Sequence, residues 1–117
     1  MNPNDPLVLR ILANLEAAAG EPESAIEHGR QVLRLSPREP RRHGTYSLLA
    51  FASFGAKQYA EGIGWASRAL NDRPRMVQAH FNLAICLVGA GDIDKATVVF
   101  AALRNLCLLY TSDAADE

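Results

Sequence analysis

The chain repeats itself. Ala25, Gly62 and Ala96 open three similar apolar stretches that lie 37 and 34 residues apart, and Pro37 and Pro74 close the first two with the same spacing of 37. A period of this length is the mark of stacked helical pairs, because one pair cannot bury its apolar face alone and needs its neighbours. The three extra residues in the first interval fit Arg38-Glu39-Pro40, a longer link between units.

Each unit divides into two helices. Pro6 to Ala19 carries apolar residues three or four positions apart, with Glu16 as the exception; Asp5 suits its cap, Pro6 its first turn and Gly20 its end. Pro22 to Leu35 places Ala25, Ile26, Gly29, Val32 and Leu33 on one face. Arg41 to Phe54 follows with Tyr46, Leu49, Ala50 and Ser53 in register, and Gly55 is expected to stop it. Gln58 to Asn71 presents Gly62, Ala66 and Ala69, and Arg75 to Ala90 presents His80, Leu83, Ala84 and Leu87. Gly91 breaks the chain, Asp92 caps, and Ile93, Ala96, Phe100 and Leu103 line the last helix. No alternating Val/Ile/Thr-rich run asks to be a strand. The small anchors have a packing reason: helices approach closely where Gly or Ala replaces a bulky side chain, and Tyr59, Trp65 or Phe100 fills the adjacent hole.

These residues resemble the tetratricopeptide repeat (TPR), whose pattern joins a first helix ending in small residues, an Ala-x3-aromatic-x2-Ala second helix and a closing Pro. The first unit offers Leu9, Leu12, Ala13, Gly20, Ala25 and Pro37, with Gly29 and Val32 where an aromatic and an Ala are usual. The second offers Tyr46, Leu49, Ala50, Ala69 and Pro74, with Gly62 for the Ala. The third offers Leu83, Ala84, Gly91, Ala96 and Phe100. The resemblance implies an all-α, right-handed TPR-like α-solenoid of three antiparallel helix pairs over residues 6–106, divided at about 6–37, 41–74 and 75–106, with 1–5 as a linker or truncated start. More narrowly, AIEHGRQVLRLSPREP, YAEGIGWASRAL and CLVGAGDIDKA resemble the TPR region that follows the catalytic or DNA-binding domain of bacterial class III adenylate/guanylate cyclase-like regulators. No cyclase catalytic segment is present, so no cyclase residue carries over.

Residues 107–117, CLLYTSDAADE, break the pattern and resemble a translated transposase-type sequencing adapter. They are read as a non-native tail on a truncated, metagenomic fragment of a larger bacterial protein. Setting aside Asp113, Asp116 and Glu117 turns the net charge from −1 into +2. Neither value implies bulk attraction to nucleic acid or to a membrane.

Catalytic chemistry finds no foothold in the sequence. His28, His43 and His80 fall in three units without metal-ligand spacing. Cys86, between Ile85 and Leu87, reads as a buried structural thiol. Gly62-Ile63-Gly64 and Gly89-Ala90-Gly91 follow no strand and precede no Lys-Ser/Thr, so they are not phosphate loops. The chain is read as non-enzymatic, without cofactor or metal, and cytoplasmic.

The first helix of each TPR pair lines the concave surface. The resemblance thus implies a peptide- or helix-binding groove built from Arg10, Asn14, Ser47, Phe51, Phe54, Gln78, Phe81 and Asn82, with Ala17 and Ile85 beside them. Of the residue types that clamp a C-terminal carboxylate in some TPR proteins, only Arg10 and Asn82 are in place. Arg38, Arg41 and Arg42, next to His43, form an alternative basic patch for an acidic or phosphorylated partner, and Arg68, Arg73 and Arg75 form a second cluster. The function expected is non-catalytic protein–protein interaction or scaffolding. The alternative is a C-terminal regulatory appendage of a cyclase-like enzyme, with the parent chain's own domains as partners.

Overall fold

The computed structural model describes residues 5–38 and 40–115, with side chains placed as far as Leu108. Six helices follow one another: α1 (Pro6–Ala18), α2 (Pro22–Leu35), α3 (Arg42–Gly55), α4 (Tyr59–Asp72), α5 (Val77–Gly89) and α6 (Ile93–Ala115). Asp5 begins α1 as expected, its carboxylate accepting the Leu7 amide at 2.9 Å.

Three short links reverse the chain within the pairs, and all three use the same turn. The amide of Glu21 donates to the Glu16 carbonyl at 2.8 Å, that of Gln58 to Ser53 at 2.8 Å, and that of Asp92 to Leu87 at 2.9 Å. Such a bond, spanning five residues back across a helix end, requires a left-handed residue just before the donor. Gly20 (φ 83°) and Gly91 (φ 85°) fill that place, but in the middle pair it is Lys57, at φ 62°. Gly55 therefore does not stop α3. It is the last helical residue, and a Cβ there would stand 3.3 Å from the Cβ of Pro22. Its smallness serves packing between the first two pairs.

Two other boundaries shift. The link after α4 closes with the Met76 amide on the Arg73 carbonyl at 3.1 Å, so α5 starts at Val77 rather than Arg75. Helix α6 continues through 107 to Ala115. No change of secondary structure marks the expected join at 106.

Helix α3 packs on α1 and on α5, whereas the backbones of α2, α4 and α6 stay apart, and α2 reaches α4 through side chains such as Arg30 on Glu61 and Trp65. The first helices thus stack on an inner side and the second helices splay on the outer one. The result is an α-solenoid of three helix pairs with a concave face along α1, α3 and α5.

The small anchors do what the period asks of them. Leu49, wholly buried, projects at Gly29, where a Cβ would come within 2.7 Å of its Cδ2. Gly62 lies under the Cys86 sulfur and the Ala50 carbonyl, and Gly89 under the ring of Tyr59. Ala25, Ile26, Gly29 and Val32 of α2 are buried, as are Ala66 and Ala69 of α4. On α6 the pattern weakens. Ala96 is buried, but Ile93 and Phe100, expected to line the last helix, are exposed, and among the described residues α6 packs on α5 alone. Glu16, the polar exception on α1, is half-buried and meets His28 Nδ1 at 2.6 Å. The exception is thus a hydrogen bond joining the two helices of the first pair.

Candidate binding groove and basic junction

The concave face gathers Asn14, Ala17 and Ala18 of α1, Leu48 and Phe51 of α3, and Gln78 of α5 around an open groove of about 190 Å³. Phe51 is 37% exposed. Asn14 donates to the Arg10 carbonyl at 3.0 Å, one turn back on its own helix. Phe81 follows Gln78 by three residues on α5 and is 43% exposed. Three of the expected groove residues, Asn14, Phe51 and Gln78, are therefore brought together, with Phe81 on the neighbouring turn.

Four are placed elsewhere. Ser47 and Asn82 are buried where α5 lies across α3, and the Asn82 amide donates to the Ser47 carbonyl at 3.0 Å and to its hydroxyl at 2.9 Å. They hold the helices together and present nothing to a partner. Phe54 is half-buried, its ring packed at a tilt on Tyr59 with centroids 5.9 Å apart. Arg10 lies with Pro6, Leu7, Val32, Ser36 and Arg41 around a separate cleft of about 220 Å³ near the links. The two residues suited to a carboxylate clamp, Arg10 and Asn82, are thus on different surfaces, one of them inside the fold.

The basic residues regroup as well. Arg42 forms a two-pronged ion pair with Asp72, Nε to Oδ2 at 2.9 Å and Nη2 to Oδ1 at 3.3 Å, tying the start of α3 to the end of α4. That hydrogen bond is the main cause holding the Asp72 carboxyl below its ordinary range. Arg38, Pro40, Arg42, Asp72 and Arg73 surround a cleft of about 340 Å³. On the other side of Arg73, His43, Pro74, Arg75 and Met76 join it around a second cleft of about 460 Å³. Two stretches that lie a full period apart in sequence therefore form one surface. The equal spacing of Pro37 and Pro74 was the signal for this, since links one period apart stand side by side in a solenoid. Arg68 departs from its cluster. Its guanidinium lies 4.7 Å over the Trp65 ring, which also stacks on Tyr46 and receives Arg30 at 5.9 Å.

Cys86 is fully buried and contacts the Ala50 carbonyl at 3.7 Å, and burial pushes its thiol up to about 11. His80 Nε2 lies 2.9 Å from the Pro74 carbonyl. Among the described residues no group of three or more His, Cys, Asp or Glu could hold a metal ion. No helix of the described residues is long and apolar enough to cross a membrane.

No protein-family model and no curated protein matches the chain. Among solved structures it is similar to MamA, residues 41 to the end, from Desulfovibrio magneticus RS-1, with a TM-score of 0.50 and 21% identity over 89% of this chain and 76% of that one. The likeness is one of fold, and it agrees with the TPR-like α-solenoid.

Proposed function

We propose that this solenoid is a non-catalytic protein-interaction module that binds an extended peptide or a helix along its concave face. One observation carries the reading: side chains from α1, α3 and α5 converge on one open groove, with Phe51 partly exposed among Asn14, Leu48 and Gln78. An aromatic anchor beside amides suits a ligand that is apolar on one side and hydrogen-bonding along its backbone. Phe81 extends this face toward the third pair. A truncated anchor of this kind typically costs about 1–2 kcal/mol of binding free energy.

The test is selection of binding peptides from a random library on the intact protein, followed by titration against Phe51→Ala and Phe81→Ala. Loss of affinity in both variants, with unchanged melting, supports the groove. Selected peptides that bind both variants as tightly as the parent would refute it.

On this reading the array works inside a longer chain, and residues 107–117 are a non-native extension. Helices α2 and α4 are 14 residues each, and α6 reaches that length at Leu106. The resemblance to cyclase-like regulators supports a finer version in which the array serves a signalling enzyme. The contiguous genomic reading frame across both ends tests both points.

A further inference from the structure

The junction formed by the α2–α3 and α4–α5 links carries a concentration of positive charge that the groove does not use. Arg38, Arg42, Arg73 and Arg75 line two clefts there, with Asp72 as the one acid among the described lining residues, and Arg42 already engages it through both oxygens. The side chains of Arg38, Arg73 and Arg75 make no salt bridge or hydrogen bond among the described residues, and all three are exposed. His43 lines the larger cleft, and its Nδ1 is buried without a hydrogen-bond partner among the described residues. The whole chain is close to neutral, at −1, so this charge is local to the junction.

We infer that this junction is a second binding site, taking an acidic peptide segment across Arg38, Arg73 and Arg75 with His43 at its floor. Two features favour a peptide over a nucleic acid. Pro74 and Met76 give the larger cleft an apolar wall, which suits acidic side chains interleaved with apolar ones. Arg38, Arg73 and Arg75 also stand around two adjoining clefts that share Arg73, a compact cluster that suits a few carboxylates better than a long phosphodiester backbone. Guanidiniums suit the carboxylates, since each offers paired N–H groups to both oxygens. Asp72 keeps the Arg42 fork oriented at the rim. The site is independent of the concave groove, and neither needs the other.

The test uses the full chain and fluorescence anisotropy with three labelled probes: a short peptide alternating Glu and Leu, its counterpart with Gln for Glu, and a short oligothymidylate. The acidic peptide should bind, with affinity falling as salt rises, and the Gln peptide should not. Arg73→Gln and Arg75→Gln should each weaken binding about five- to tenfold, as expected for loss of a charge-assisted hydrogen bond. Arg104→Gln, an exposed arginine on α6, and Phe51→Ala in the groove should leave it unchanged. Equal binding of the Gln peptide, tighter binding of the oligothymidylate, or indifference to both junction variants while their helical content is intact would each overturn the proposal. A loss that appears with Phe51→Ala instead would assign the acidic peptide to the groove.

Discussion

Asn82 reaches from α5 to α3 and donates to both the backbone carbonyl and the hydroxyl of Ser47, at 3.0 and 2.9 Å, with both residues buried. One period earlier the place of Asn82 is held by Leu48, so a polar side chain stands where the preceding pair packs an apolar one. Asn82 Oδ1 has no partner among the described residues, so the contact stabilises the junction while carrying the desolvation of one unpaired oxygen.

Replacing Asn82 alone with Ala should therefore cost about 1–3 kcal/mol, because it also strands the Ser47 hydroxyl. Replacing both sides, as Ser47→Ala with Asn82→Leu, should recover much of that loss by removing every stranded group together. Urea unfolding of the parent, Ser47→Ala, Asn82→Leu and the double variant measures this coupling. Additive losses would mean that the pair is not coupled.

Lys57 sits at φ 62° where the other two pairs have glycine. A side chain costs energy in that conformation and glycine does not. Lys57→Gly should thus raise stability by about 1 kcal/mol, against the usual trend for a residue-to-glycine change. Denaturant midpoints compare the two proteins. A destabilised variant would show that the Lys57 side chain contributes more than its backbone costs.

Gly62→Ala should do the reverse. Alanine improves an ordinary helical glycine by about 1 kcal/mol. Here the added Cβ would strike the Cys86 sulfur and stand 3.2 Å from the Ala50 carbonyl oxygen, so the junction between pairs must open. A net loss of about 1–3 kcal/mol is expected, partly relieved when Cys86→Ala is added. The melting temperatures of the four proteins in this cycle decide it.

How far these features can be read from sequence differs by residue. Ala25, Gly62 and Ala96 are legible as close-approach positions because the period repeats the need for a small side chain three times. The burial of Asn82 was not legible. Surface and core asparagines look alike in a helical pattern, and only the overlap of α5 on α3 separates them. Gly55 misled for a related reason, since glycine marks a helix end and a tight contact equally well, and the true turn residue was a lysine. Of the groove, Asn14, Phe51 and Gln78 came from the repeat resemblance, which puts the first helix of each pair on the concave side, whereas Arg10 stands with Arg41 around a separate cleft.

The two thiols should separate in reactivity. Cys107 is exposed, while Cys86 is buried and its thiol is raised to about 11. At pH 8 an alkylating reagent should modify one cysteine quickly and the other only as the fold opens. The same shift has a stability consequence. Cys86 stays protonated when folded but ionises near its ordinary value of 9 when unfolded, so its contribution is intact below pH 9 and is lost as pH rises toward 11. Melting curves at pH 8 and pH 10 should differ in that direction, and Cys86→Ala should flatten the difference.

Trp65 is the chain's single tryptophan, stacked on Tyr46 within the central pair and flanked by Arg68 and Arg30. Its fluorescence is consequently a local reporter in a molecule whose units each contact only their neighbours. Units of such an array need not melt together, and the terminal ones are held from one side only. Intrinsic emission therefore watches the middle of the array, while circular dichroism averages over all of it. A thermal transition seen later by tryptophan than by ellipticity would mean that the protein frays from its ends inward, and coincident curves would mean that the three pairs melt as one cooperative body.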